Sequence, residues 1–271
     1  MACAAAHGPG RSRSAGANLG RQPDERMHFL LKSLVQNAIA LLPEQASAPA
    51  YYWVQRHFGS LRRGNAIKHT IQHIGHAARL LDALAPFRSP RDAVFLELGT
   101  GRTLNVPLAL WLCGAARVVT TDLNLYLREE LVLEGIDDLR KGRSEVEALL
   151  GAWDGPVFQR RMQELFRCHS LADVVGLGWL DYHAPMDARH LDLEAGTADV
   201  HYSVNTLEHV PPDVVAAILL EARRVLRRGG YLVHLIDLSD HFAQILRSHG
   251  STFFALVTTP GACLPATGTC I

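Results

Sequence analysis

The chain has 271 residues, 48% hydrophobic and 20% charged, enough for one sizeable domain with a full core and an extension. Lysine plus arginine equals aspartate plus glutamate at 27 each, so no bulk positive field favours nucleic acid or an anionic membrane. Five scattered cysteines, Cys3, Cys113, Cys168, Cys263 and Cys270, show no metal-type or redox spacing, which points to a reducing, cytoplasmic setting.

Residues 1–26 are rich in Ala, Gly, Arg and Ser and are expected to form a disordered leader, because they bury too little apolar surface to offset chain entropy. They lack the apolar stretch of a secretory signal; a transit peptide is compatible with their composition, and Met27 is an alternative start. No apolar run reaches the length needed to span a bilayer. Over 27–42, Phe29, Leu30, Leu34, Ile39 and Leu42 recur at helical spacing up to Pro43. The segment reads as a helix packed on the main domain. Peripheral membrane contact is the second reading, with Lys32 its only charge.

The aromatic run YYWVQRHF at 51–58 is expected to be a helix buried against a sheet, with a substrate mouth as the alternative. Asn65 is placed to cap a helix reaching Leu84, with Ile67, Ile71, Ile74 and Leu81 as its buried stripe. Residues 27–90 together are expected to form a helical cap over the crevice of the main domain. His69, His73 and His76 share one face of the long helix. No Cys, Asp or Glu nearby completes a ligand shell, so they read as a polar stripe and no metal is expected.

From Ala93 onward, short apolar runs alternate with helical patterns. Strands are expected over 94–98, 117–121, near 179–183, over 198–203 and over 231–236. Helices are expected over 104–113, 126–150, 157–167 and 213–226. Such alternation predicts an α/β fold with a doubly wound, mainly parallel sheet covered on both faces. A helix over 240–248 and a sixth strand over 252–258 are expected next, and 259–271 reads as an irregular tail.

Two strand ends carry the chemistry. VFLELGTGR at 94–102 is an apolar run ending in Glu97 and the turn Gly99-Thr100-Gly101. Glycine is needed there because side chains would block backbone approach to a ligand. RVVTTD at 117–122 ends in Asp122, about 20 residues further on, where a carboxylate can accept hydrogen bonds from ribose hydroxyls. A nucleoside-bearing cofactor fits this pairing.

With these motifs in hand, ELGTG at 97–101 resembles the first motif of the class I S-adenosylmethionine-dependent methyltransferases, and Asp122 matches that family's ribose-binding acid. PMDA at 185–188 resembles its adenine-contacting segment, DVHYSVNTLEHV at 199–210 its fourth-strand motif, and LRRGGYL at 226–232 the glycine pair opening its fifth strand. The matches come in family order over roughly residues 93–237. Thr103 stands where the family has its third glycine, and the family's seventh strand has no counterpart, so the C-terminal strands are expected to be incomplete.

The resemblance implies S-adenosyl-L-methionine as cofactor and methyl transfer to a small-molecule or glycan acceptor, with no nucleic acid partner. Glu97 would hold the first turn and the methionine amino end, with Gly99, Gly101 and Asp122 around it. Asp187 would accept from the adenine amino group, Ala188 would stack near the ring, and Asn205 would line the transfer mouth. His209, His234 and His241 are candidates for a general base, with His241 preferred as the catalytic residue. A nicotinamide-dependent oxidoreductase is the weaker alternative, because Leu104 occupies the position its third glycine would take. A non-catalytic or truncated protein of methyltransferase fold is the other.

Overall fold

A computed structural model describes residues 39, 41, 43–59, 61–62, 66–153 and 155–237, and the backbone of 252–258. The expected leader, most of the 27–42 helix, the 240–248 helix with His241, and the tail at 259–271 lie outside these residues. The chain divides into two compact units, Met1–Gly59 and Ser60–Ile271.

The first unit holds α1 (Glu44–Phe58), which starts after Pro43. Three of its ring-bearing residues, Trp53, His57 and Phe58, pack on one another. Trp53 stacks on His57 with ring centroids 4.6 Å apart and meets Phe58 edge-on at 5.8 Å. Trp53 and Phe58 are exposed, against the burial expected for this run, while Tyr51 and Tyr52 are half-buried.

The second unit opens with α2 (Ala66–Leu84), in chain order followed by β1 (Val94–Leu98), α3 (Asn105–Leu112) and β2 (Arg117–Thr121). Next come α4 (Glu129–Lys141), α5 (Arg143–Leu149), α6 (Pro156–Leu165), α7 (Leu171–Gly176) and β3 (Leu180–His183). β4 (Ala198–Val204), α8 (Pro212–Val225), β5 (Leu226–Asp237) and β6 (Thr252–Thr258) complete it. The sheet order is β3-β2-β1-β4-β5-β6. The first five strands are parallel, and β6 runs antiparallel to β5. This is the expected doubly wound, Rossmann-like α/β sheet. The order reverses between β1 and β4, which opens a crevice at their C-terminal ends.

Alternation along the strands sorts side chains to the two faces. Phe95, Val118, Val200, Tyr202, Val233 and Leu235 face the core built with α2 and α3. Leu96, Val119 and Leu232 face a second cluster with Ala222 and Val225 of α8. α3 is buried on every side, which explains a helix of apolar residues without a polar face. Stripe residues Ile74 and Leu81 of α2 are buried as expected, whereas Ile67 is exposed beside Gly142.

Three boundaries differ from expectation. The expected helix over 126–150 breaks at Gly142, where a Cβ would lie 3.2 Å from both the Asp138 carbonyl and Ile71 Cδ1. α7 was not anticipated. Its start is held by a reciprocal cap in which Ser170 accepts from the Asp173 amide and Asp173 accepts from the Ser170 amide. β5 begins at Leu226, five residues early, because its first residues pair with Ala198 across a register shift in β4. The glycine pair lies inside that strand. A Cβ on Gly230 would sit 3.0 Å from the Asp199 carbonyl, so the chain passes close there.

The arginines around the α8–β5 junction tie neighbouring segments together. Arg224 donates to the Leu191 and Leu193 carbonyls and to Glu221, tying down the loop before β4. Arg227 donates to Asp199, whose carboxylate also accepts from the Val94 amide and pairs with Arg88 at 3.1 Å. Asp199 therefore joins β1, β4 and β5 at the end of the sheet opposite the crevice.

Candidate cofactor crevice

The turn after β1 is fixed by its own backbone. The Gly99 and Thr100 amides donate to the Thr121 carbonyl at 2.8 and 3.1 Å. Gly99 and Gly101 have φ of +86° and +65°, the left-handed region that glycine tolerates best. Their surroundings differ. A Cβ on Gly99 would lie 2.7 Å from Thr206 Cγ2 and Oγ1, whereas a Cβ on Gly101 would meet nothing within 4 Å. Gly99 is thus required by packing between the β1 and β4 loops, and Gly101 borders open space.

Asp122 follows β2 directly. Its Oδ2 accepts from the Gly101 amide at 2.9 Å and its Oδ1 from the Asn124 amide at 3.0 Å. Each oxygen keeps a lone pair for a further donor. The Asp122 carbonyl accepts from the Met186 amide at 2.8 Å, which brings the segment after β3 to the same crevice.

On that segment, Ala188 packs against Leu98, Leu207 and Ile218. Asp187 is engaged by Arg189: the guanidinium donates to both carboxylate oxygens at 2.7–3.0 Å, and the Arg189 amide donates to Oδ1 at 2.9 Å. These bonds to Arg189 hold the Asp187 carboxyl down at about 2. Asn205, just past β4, is exposed and adopts φ +50°, an unusual conformation for any residue but glycine. Its amide donates to the Leu235 carbonyl at 2.9 Å.

Glu97 is buried between strands. Thr120 Oγ1 donates to its carboxyl, Thr120 is itself within 2.6 Å of Thr100 Oγ1, and Thr121 Oγ1 donates to the Glu97 carbonyl. The Tyr202 hydroxyl bears on the carboxyl from β4 without making a hydrogen bond of good geometry. Burial with no cation beside it, relieved in part by Thr120, pushes Glu97 up to about 7.

The structure therefore brings Glu97, Gly99, Gly101, Asp122, Asp187, Ala188 and Asn205 to the ends of four neighbouring strands, β3, β2, β1 and β4, and their loops. His234 is a correction: it is buried in β5, with Nδ1 2.8 Å from Ser203 Oγ, and cannot serve as a base at the crevice mouth. A β5 that starts at Leu226 carries position 234 well inside the strand. His209 is exposed on the turn after β4, its amide bonded to the Thr206 carbonyl. His241 lies outside the described residues. Among the described residues, no group of three or more His, Cys, Asp or Glu is arranged to hold a metal ion, and no helix is long and apolar enough to cross a membrane.

Reading the sequence missed Thr206, Arg189 and the two threonines of β2. Thr120 and Thr121 carried a signal, being polar residues in an otherwise apolar strand. Thr206 and Arg189 carried none, because their roles depend on contacts between loops.

The crevice suits an adenosyl amino acid. Open space at Gly101 admits a ligand against the backbone, Asp122 presents free lone pairs to a diol, and Ala188 supplies a small apolar surface. Residues 162–234, from α6 to β5, match the family model described as "Methyltransferase domain". No curated protein matches the chain. Similar solved structures include a geranyl diphosphate methyltransferase in complex with S-adenosylmethionine (18% identity, 60% of this chain and 48% of that one, TM-score 0.36). Haemonchus contortus phosphoethanolamine N-methyltransferase 1, in complex with phosphoethanolamine and S-adenosylhomocysteine, is 16% identical over 69% of this chain and 34% of that one, with TM-score 0.37. An S-adenosylmethionine-dependent methyltransferase from Aquifex aeolicus is 17% identical over 58% and 62%, with TM-score 0.34. The chain thus spans between 34% and 62% of the length of these proteins.

Proposed function

We propose, from the methyltransferase-domain match over residues 162–234 and the doubly wound sheet, that the chain is a class I S-adenosylmethionine-dependent methyltransferase, that its crevice binds S-adenosyl-L-methionine, and that it methylates a small-molecule or glycan acceptor in the cytoplasm. One observation carries the reading. The Gly101 amide and the Asp122 carboxylate are already joined at 2.9 Å, beside a glycine whose Cβ position is open. Such preorganisation supports a ligand site here.

Asp122 would bind the ribose hydroxyls, and Gly99 and Gly101 would let the amino-acid tail run along bare backbone. Glu97 would support the turn and face the ammonium end. Asp187 and Ala188 would hold the adenine, and Asn205 would border the acceptor. The cofactor supplies a methyl group already activated on a sulfonium. The chain's own part is alignment and exclusion of water. An amine that is already neutral needs no base. A hydroxyl does, and His241, following β5 in sequence, is our candidate. Balanced charge supports a small molecule or glycan over nucleic acid.

Calorimetric titration with S-adenosylmethionine, S-adenosylhomocysteine and NAD tests the cofactor. Both sulfur nucleosides should bind and NAD should not; tight NAD binding overturns the reading. Transfer of labelled methyl groups to fractionated small-molecule and glycan pools then tests the acceptor class. With a hydroxyl acceptor, His241→Ala should lower the rate and remove the limb that falls at acidic pH, where the imidazole is protonated.

A further inference from the structure

The carboxylate assigned to the adenine amino group is already taken. Arg189 Nε lies 3.0 Å from both oxygens of Asp187, and Nη2 lies 2.7 Å from Oδ2. A guanidinium in this position occupies the faces of the carboxylate best placed to accept from a second planar donor.

The arginine is not needed to aim the carboxylate. The Arg189 amide donates to Oδ1 at 2.9 Å, and the His190 amide donates to the Asp187 carbonyl at 2.9 Å, so a backbone turn does that. The turn is anchored to the crevice on both sides, by the bond from the Met186 amide to the Asp122 carbonyl and by Ala188 in its apolar cluster. Arg189 also has somewhere to go. It is 46% exposed, and the carboxylate of Asp213, in the first turn of α8, already favours its charge.

We propose that Arg189 is an internal competitor for the adenine subsite. It shields Asp187 in the free protein and must swing away when an adenosyl ligand enters. The idea rests on the cofactor reading above. An exposed ion pair of this kind is weak, so the competition corresponds to about a threefold loss of affinity. Salt screens the pair, so the competition weakens as ionic strength rises.

The test is calorimetric titration of S-adenosylhomocysteine into the full chain and into Arg189→Gln, Asp187→Ala and the double variant, at low and high sodium chloride. Circular dichroism verifies that each is folded. Arg189→Gln should bind about threefold tighter than the unaltered protein at low salt. The unaltered protein should tighten as salt is raised, and Arg189→Gln should not. In the Asp187→Ala background, the Arg189 substitution should change nothing. Unchanged or weaker binding by Arg189→Gln overturns this proposal and leaves the cofactor reading intact. Absence of binding by every folded variant and by the unaltered protein overturns the cofactor reading, and this proposal with it.

Discussion

The Gly101 amide donates to Asp122 Oδ2 at 2.9 Å, fastening the turn after β1 to the acid after β2. One side chain thus shapes the turn and offers its remaining lone pairs to a ligand. Removing it should act twice. Asp122→Ala should weaken S-adenosylhomocysteine binding by at least tenfold, since hydrogen bonds to a charged group contribute about 1.5–3 kcal/mol. Calorimetry measures this, and affinity within twofold of the unaltered protein would count against the role.

The two glycines of the turn should separate stability from binding. Gly99→Ala places a methyl 2.7 Å from Thr206 at φ +86° and should lower stability by about 1–3 kcal/mol in urea unfolding. Adding Thr206→Ala should restore part of the loss. Gly101→Ala meets no neighbour, so it should cost about 1 kcal/mol for its backbone conformation while sharply weakening ligand binding. Equal stability losses for the two would show that the contact with Thr206 is unimportant.

Asp199 offers the reverse control. Its carboxylate serves Arg88, Arg227 and the Val94 amide at the far end of the sheet. Asp199→Ala should destabilise the fold by about 2 kcal/mol, less than the roughly 3–5 kcal/mol of a fully buried pair, because both guanidiniums are partly exposed and can hydrate. Ligand affinity, measured below the unfolding range, should stay within twofold.

Stability should respond to pH in two opposing ways. Burial holds His73 at about 3 and His76 and His234 at about 4, and lowers His201 further below its ordinary value. Between about 4 and 6.5 the unfolded chain binds more protons at these positions, so stability falls as the solution is acidified through that window. Glu97, raised from 4.5 to about 7, acts oppositely: the folded chain holds the extra proton, and its contribution diminishes as pH rises from 4.5 to 7. The four histidines outweigh the single acid, so the melting temperature should drop from pH 7 to pH 5. In Glu97→Gln the opposing contribution disappears, and the drop should steepen. A shallower drop in that variant would mean that Glu97 is ionised in the folded protein near neutral pH.

Much of the site was legible locally. Gly99 and Gly101 follow an apolar run ending in Glu97, and Asp122 ends the next one. Such strand-end patterns depend on backbone conformation and strand period, which neighbouring residues largely set. What escaped depends on contacts distant in sequence. Thr206 stands 107 residues after Gly99, and its packing there requires β4 to lie beside β1. Arg189 is only two residues from Asp187, yet a side chain of that length has many partners within reach, and the turn decides among them.

By itself the sequence determined the alternation of strands and helices, the crossover that makes the sheet parallel, and the glycines and acid at the strand ends. These follow from short-range sterics and from the periodicity with which apolar side chains recur. Only the tertiary structure decided that His234 is buried beside Ser203, that Asp199 binds two arginines, that Glu97 lies among neutral partners, and that Arg189 covers Asp187. Burial and pairing of polar groups depend on which elements meet, and their energies are set by the solvent they lose and the partners they gain.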